Sequence, residues 1–249
     1  MEKVQQLTSI LKRLSEGEDT TAVRAEAREF LAAIDPADLS IAEQKLLEAG
    51  LKPEDLRHLC SVHIEVLGDQ VAQFKAKLPP GHVVHTMVGE HEMILGYLDE
   101  LERLNAAIQQ MQRYDSARDE FKLLGHIAEH LVEAEAHHQR EEDVLFPELE
   151  RRGVWGPPRI MRMEHEDLRR RKHELKELAE GVATMRFEEF KRKLDATARL
   201  IVPLLRDHIF KENNILYPTA VEMIREEQVW QRMKQECDTI GYCCFTPEA

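Results

Sequence analysis

The sequence has 249 residues, a formal net charge of −13, 33% charged residues and 6% aromatic residues. This acidic balance argues against nucleic acid or an anionic membrane as a main partner, because both are bound through basic patches. No uninterrupted apolar stretch is long enough for a signal peptide or a membrane span, so we expect a cytoplasmic, helical protein that binds no membrane. The four scattered cysteines are expected to be reduced thiols.

The N-terminal part of the chain is predicted to form several short helices. Two helical patterns of apolar residues precede Pro36. Ser40, with Glu43 three residues later, predicts a capping box that starts a third helix, and Gly50 ends it. Pro53 suits the first turn of a fourth helix.

The run Leu78-Pro79-Pro80-Gly81 marks the clearest boundary in the chain. Two prolines and a glycine in succession cannot continue a helix. We therefore expect an N-terminal helical domain over residues 1–79 and a second domain over residues 80–249.

Four long helical patterns in the second domain predict a bundle. The first covers about 82–112 and the second about 115–151. The third ends near Gly181, and the fourth begins near Phe187. A last helix and a tail are expected to follow these four bundle helices.

Two motifs alternate along the bundle, and each occurs twice. His137 and His208 each begin the motif His-x-x-x-Glu, which has a proline six residues after the glutamate and an aromatic residue just before that proline. The motif Glu-His-Glu occupies residues 90–92 and again residues 164–166. The alternation indicates a duplicated helical hairpin, and two such hairpins facing each other make a four-helix bundle.

Polar side chains interrupt the apolar inner faces of all four bundle helices. They are His91, His137, Glu141, His165, His208 and Glu212. Burying two carboxylates together is costly unless cations neutralise them, and no lysine or arginine shares their face at one-turn spacing. Four imidazoles and two carboxylates, with no thiolate, suit a pair of first-row transition metals. The set therefore predicts a non-haem di-iron centre that holds two Fe ions.

These motifs resemble the hemerythrin-like HHE cation-binding family over residues 82–225. The run from His208 to Pro218 is similar to the last helix of the di-iron proteins that repair iron centres. The resemblance implies an all-α, up-down hemerythrin-like four-helix bundle, with the six inward residues in the ligand positions. Residues 1–78 resemble a helical domain of unassigned function that often precedes this bundle, and a protein partner is considered for that domain.

Arg169 departs from the pattern of the oxygen-carrying hemerythrins, which have a histidine one turn after the position of His165. With one histidine fewer, the centre is expected to be more open, which favours reaction with O2, peroxide or NO over reversible transport. The expected ligand is a small diatomic molecule, O2 or NO, in a protein that binds or senses it or handles iron under oxidative stress. A di-iron enzyme and a non-catalytic helical scaffold are the alternatives.

Several polar residues near the motifs leave further alternatives open. His138 with Glu142 is a rival pair one residue along the second bundle helix, and His85 is a reserve ligand. Glu90 and Glu164 either orient histidines or face solvent.

Histidines and cysteines outside the motifs have two interpretations. His126 and His130 are about two turns or more from His137, which suits a channel or an outer position around the centre. Cys60 with His63, and the pair Cys243-Cys244, either meet as a second metal or redox site or belong to helix packing and the tail.

Overall fold

The computed structural model describes residues 2–15, 23, 26, 35–52 and 71–247. All regular structure within these ranges is helical, which confirms the expected all-α fold. The helix predicted after Pro53 lies outside these ranges, and so do Cys60 and His63.

Three helices whose bounds lie within the described ranges precede the bundle. They are α1 (Glu2–Ser15), α2 (Pro36–Glu48) and α3 (Val71–Ala76). The bundle then begins with α4 (Val83–Gln109), its first helix. The second bundle helix is made of four consecutive pieces: α5 (Asp119–Glu133), α6 (Glu135–Arg140), the π-helical segment π1 (Glu141–Leu145) and α7 (Phe146–Arg151).

The third bundle helix is α8 (Gly156–Gly181), which ends in a 3-10 turn over Val182–Thr184. The fourth is made of α9 (Phe187–Lys211), the π-helical segment π2 (Glu212–Leu216) and α10 (Tyr217–Met223). The last helix is α11 (Glu227–Ile240). We call residues 242–247, which follow it, the C-terminal strap.

Each His-x-x-x-Glu motif contains a π-helical segment where a plain α-helix was predicted. Both segments begin at the motif glutamate and end two residues before the motif proline. Pro147 and Pro218 have no N–H and would clash with the carbonyl four residues earlier in an ideal α-helix. A wider π turn removes that clash, and such turns are frequent at functional sites.

The predicted start of α2 at Ser40 is wrong. The helix begins at Pro36, after an N-cap at Asp35, because proline fits the first helical turn without loss of a hydrogen bond. Ser40 is instead buried within the helix, where its Oγ is hydrogen-bonded to Thr219 Oγ1 at 2.9 Å. The side-chain oxygen of Gln44, on the same helix, accepts a hydrogen bond from the backbone N–H of Gly156 at 3.1 Å. This bond satisfies one of the backbone donors that the start of α8 leaves without a partner inside the helix. Helix α2 therefore packs directly on the bundle.

Two buried apolar clusters fill the bundle, one on either side of a polar layer. One cluster contains Val84, Phe146 and Tyr217, and the other contains Leu98 and Phe190. The chain passes from the first cluster to the second along α4 and α8, and from the second to the first along the other two bundle helices. The four helices therefore run up and down in alternation. No helix in the described ranges is both long and apolar enough to cross a membrane.

Candidate metal centre

The polar layer between the two apolar clusters contains six side chains from all four bundle helices. They are His91, His137, Glu141, His165, His208 and Glu212. Each of the six is at most 1% exposed. The structure thus brings together every residue that the motifs placed on an inner face, and it does so where the helices leave no room for bulk water.

Glu212 lies between two groups of histidines. Its Oε2 is 3.2 Å from Nε2 of His91, and its Oε1 is 2.9 Å from Nε2 of His208. Oε1 is also 3.5 Å from Nε2 of His165. One carboxylate therefore faces both groups, one oxygen to each, which is the arrangement that would let it bridge two ions.

Glu141 occupies an equivalent position on the second bundle helix. Its Oε2 is 3.6 Å from Nε2 of His137 and 3.4 Å from Nε2 of His165. Its Oε1 accepts a hydrogen bond from the hydroxyl of Tyr217 at 2.8 Å. Glu141 thus also reaches a histidine of each group.

The other ring nitrogen of each histidine is held by an oxygen acceptor from a neighbouring segment. The Nδ1 distances are 2.8 Å for His91 to Asn213 Oδ1, 2.7 Å for His137 to Glu90, 2.7 Å for His165 to Glu142 and 2.8 Å for His208 to Glu164. With the proton on Nδ1, each Nε2 presents a lone pair towards the centre. Metal-bound histidines are typically held in this way by carboxylates and amide oxygens.

Three of the four oxygens of the inner carboxylates Glu141 and Glu212 lack hydrogen-bond donors. Among the described residues, Glu141 Oε2 and both oxygens of Glu212 are buried without a hydrogen-bond partner. Histidine nitrogens that act as acceptors cannot satisfy them, so acceptors face acceptors across the layer. A buried charge in this position requires a compensating cation. The donor set therefore fits metal ions.

In the absence of metal, protons take part of that role. Burial lowers the pKa of His165, but the close carboxylates of Glu141, Glu142 and Glu212 outweigh it and hold that pKa well above its usual range. Burial raises the pKa of Glu212, but the close imidazoles of His208, His165 and His91 outweigh it and hold that pKa well below its usual range. The layer is thus built for positive charge beside its inner carboxylates.

The outer carboxylates, by contrast, have their own cations. Glu90 accepts from Arg140 at 2.6 Å, and Glu164 accepts from Lys211. Burial raises the pKa of Glu90, but the hydrogen bond from His137 and the charge of Arg140 outweigh it and lower the pKa to about 2. Glu164 follows the same pattern, again with a pKa of about 2. Both carboxylates orient a histidine of another helix. Of the two roles that the sequence left open for Glu90 and Glu164, the structure therefore shows the orienting one and not exposure to solvent.

The metal-free protein should lose stability in acid because of these two outer carboxylates. Each has a folded-state pKa of about 2 against an ordinary value of 4.5. A depressed pKa contributes stability that is present above the ordinary value and lost as the pH falls towards the folded-state value. Each contribution is on the order of 3 kcal/mol. Urea unfolding between pH 7 and pH 3 should show Glu164→Gln to be less stable at pH 7 and less sensitive to acid.

The control for that experiment is Glu166→Gln, which changes an exposed glutamate two positions along the same helix. It should keep the acid sensitivity of the unmodified protein. Equal acid sensitivity in Glu164→Gln and the unmodified protein would contradict the assignment of this carboxylate.

The rival pair His138 and Glu142 is divided between two roles. The ring of His138 is buried and stacks on that of His165, with centroids 4.0 Å apart, and its Nε2 is 3.4 Å from Lys172 Nζ. Ring nitrogens of His138, His165 and His208 lie within 4.8 Å of one another, so His138 remains an alternative ligand beside His165 and His208. Glu142 holds Nδ1 of His165 instead of facing the inner carboxylates.

Arg169 lies at the edge of the layer. Its guanidinium donates to Glu135 at 2.7 Å and to Glu142 at 2.9 Å. It therefore supports the carboxylate that orients His165, and the ring of His138 stacks on that histidine.

Sequence reasoning missed Tyr217 as a residue of the centre. Its ring is fully buried, and its hydroxyl is 3.2 Å from Nε2 of His137 as well as within hydrogen-bond reach of Glu141. Burial and the charge of Glu141 raise its pKa well above the usual range, so the phenol keeps its proton. The available signal was the pairing of Tyr217 with Phe146 at matching motif positions, where only one copy has a hydroxyl.

None of His82, His85, His126 and His130 shares a possible metal-binding group with the six. His82 caps α4, where its Nδ1 accepts from the backbone N–H of Val84 at 3.2 Å. His85 is only partly buried and belongs to none of the metal-binding groups found in the described residues. His126 and His130 contact each other at 3.0 Å, and His130 also contacts Cys244 at the surface.

Comparison with protein families supports the motif analysis. Residues 82–220, more than half of the chain, match the family described as Hemerythrin HHE cation binding domain. Residues 7–73 match a Family of unknown function (DUF438). No curated protein matches the sequence. The two family matches confirm the resemblance that the motifs and the N-terminal region predicted.

Proposed function

The chain belongs to the hemerythrin HHE cation-binding family, and from that premise we propose that it is a non-haem di-iron protein. It binds or senses O2 or NO, or it handles iron under oxidative or nitrosative stress. The observation that carries this proposal is the set of buried carboxylate oxygens on Glu141 and Glu212 that have no hydrogen-bond donor. Such oxygens are stabilised by cations.

The proposed ligand set follows the two histidine groups. His91 and His137 would hold one ion, His165 and His208 the other, and the two inner carboxylates would be shared. Histidine and carboxylate ligands without thiolate suit iron among the first-row metals. A pair of ferrous ions held in this way supplies electrons and an affinity for small diatomic molecules.

The surrounding residues orient the ligands and exclude water. The outer acceptors fix the ring orientations and the tautomers of the four histidines. The apolar clusters on either side of the layer keep bulk water away from the inner carboxylates. The side chain of Arg169 is held by Glu135 and Glu142 and contributes no ligand. The ring of His138 stacks on His165.

A di-iron enzyme is the second candidate, because Tyr217 places a proton at the centre. Reduction of NO or peroxide consumes protons, and the Tyr217 hydroxyl donates to Glu141 within the layer. The same centre could therefore support NO or peroxide reduction, iron oxidation or repair of iron centres. Sustained turnover with a chemical reductant would distinguish this enzyme from a binding or sensing protein.

The proposal is tested by metal analysis and optical spectra of protein reconstituted without oxygen. We expect both positions to fill with iron, and we expect NO to change the spectrum of the reduced protein at once. We expect O2 to oxidise it without reversible uptake. A single tightly held zinc ion, or no metal, would contradict the di-iron proposal. Reversible release of O2 under vacuum would instead indicate a carrier.

A further inference from the structure

A second group of metal-binding side chains lies at the surface, where the C-terminal strap crosses α5. Cys244 of the strap has its Sγ 3.1 Å from Nδ1 of His130 and 2.9 Å from Oε2 of Glu133. Those nitrogen and oxygen atoms are themselves 3.1 Å apart. A nitrogen, an oxygen and a sulfur from segments more than 100 residues apart thus form a nearly equilateral triangle.

We propose that His130, Glu133 and Cys244 form a second metal site, of the zinc class, separate from the di-iron centre. A mixed nitrogen, oxygen and sulfur donor set favours Zn²⁺ and similar ions over Mg²⁺ or Ca²⁺, which prefer oxygen alone. Bonds of about 2.0–2.3 Å would place tetrahedral ligands roughly 3.3–3.6 Å apart. The three atoms therefore need to move apart by only a few tenths of an ångström. Binding releases the thiol proton to solvent.

The surroundings of His130 match those of a metal ligand. Its second nitrogen, Nε2, lies 3.0 Å from Nε2 of His126, which can accept the remaining ring proton and direct the Nδ1 lone pair to the triangle. The ring of Tyr97 stacks on His130 with centroids 5.2 Å apart. Glu133 and Cys244 are exposed, so a fourth position is open to water.

A hydrogen-bonded cluster is the alternative to a metal, and it needs two protons. The thiol proton would go to Glu133, and an Nδ1 proton on His130 would be shared between the carboxylate and the sulfur. If the thiol and the carboxylate are both ionised, they repel each other at 2.9 Å unless a cation lies between them. One dication satisfies all three contacts.

A metal at this site would hold the strap against Arg140 and Glu90, the residues that orient His137. The Tyr242 ring lies 4.6 Å below the Arg140 guanidinium, and Thr246 donates to Glu90, the carboxylate that holds His137. A Cβ on Gly89 would lie 3.3 Å from a ring carbon of Pro247, so the strap lies close against α4 at this glycine. Release of the metal would loosen residues that support a ligand histidine.

The test is titration of iron-loaded, full-length protein with Co²⁺, followed by near-ultraviolet absorption. A thiolate bound to Co²⁺ gives a charge-transfer band, and the di-iron centre contains no cysteine, so the band does not arise from that centre whether or not iron has loaded fully. We expect the band to saturate at one equivalent, to disappear in Cys244→Ser and to weaken at least tenfold in apparent affinity in Glu133→Gln.

The matched control is Cys237→Ala, which removes a thiol buried in α11 and should leave the band unchanged. The proposal is overturned by Co²⁺ binding without the band, by a band that persists in Cys244→Ser, or by a band lost equally in the control. Limited proteolysis gives an independent readout, because Zn²⁺ should protect the strap in the unmodified protein and leave Cys244→Ser unprotected. Equal cleavage with and without Zn²⁺ would likewise overturn it.

Discussion

Glu212→Gln should abolish iron binding at both positions of the centre and leave little iron on the reconstituted protein. The Glu212 oxygens face His91 on one side and His208 with His165 on the other. The amide removes the negative charge and replaces one acceptor with an N–H2 donor, which would point at a histidine nitrogen. Because this one side chain serves both positions, metal analysis should show the loss of both ions together.

The control for this variant is Glu166→Gln, an identical change at an exposed position beside His165. It should bind as much iron as the unmodified protein. His91→Ala should weaken mainly one ion, because its Nε2 faces only one carboxylate oxygen at 3.2 Å.

A separate set of variants tests which residues of the second bundle helix bind iron. His137→Ala and Glu141→Gln should remove more iron than His138→Ala and Glu142→Gln. The reverse order would show that the ligand register on this helix is displaced by one residue. A large effect of His138→Ala alone would indicate that its imidazole joins His165 and His208 at one ion.

Removal of iron should lower the thermal stability of the protein by roughly 10 °C. Ions held at about 1,000 times their dissociation constant stabilise the folded state by about 4 kcal/mol. That corresponds to roughly 8–16 °C in the unfolding midpoint of a domain of 150–250 residues. The physical source is the neutralisation of Glu141 and Glu212, because three of their four carboxylate oxygens otherwise lack donors. Anaerobic calorimetry of iron-loaded and chelated protein measures the difference.

Glu212→Gln is the internal control for the stability experiment. Its unfolding midpoint should not respond to iron. Without metal, this variant should be at least as stable as the chelated unmodified protein, because the substitution removes a buried charge. An iron-dependent rise in this variant equal to that of the unmodified protein would place the stabilising metal elsewhere.

The repeated motifs were sufficient to predict the bundle and its inward polar residues. Helical periodicity is a local property, so His137 with Glu141, and His208 with Glu212, share a face whatever surrounds them. The all-α bundle and the family resemblance followed from these patterns and are confirmed. Local signals failed at Ser40, where Pro36 began the helix four residues earlier. They also missed the π turns, although the motif prolines carried that information.

Tertiary packing decided which side chains meet across the bundle. Glu90 holds His137 of another helix, Tyr217 reaches Glu141, and Cys244 meets His130 across more than 100 residues. No spacing along the chain specifies such contacts, because they depend on the rotation and offset of packed helices and on the path of the strap. The sequence by itself therefore determined the helices, their inner faces and the donor types. The folded structure decided which acceptors orient the histidines, which carboxylates have their own cations and which carboxylate oxygens have no donor, because these are set by distances between separate helices.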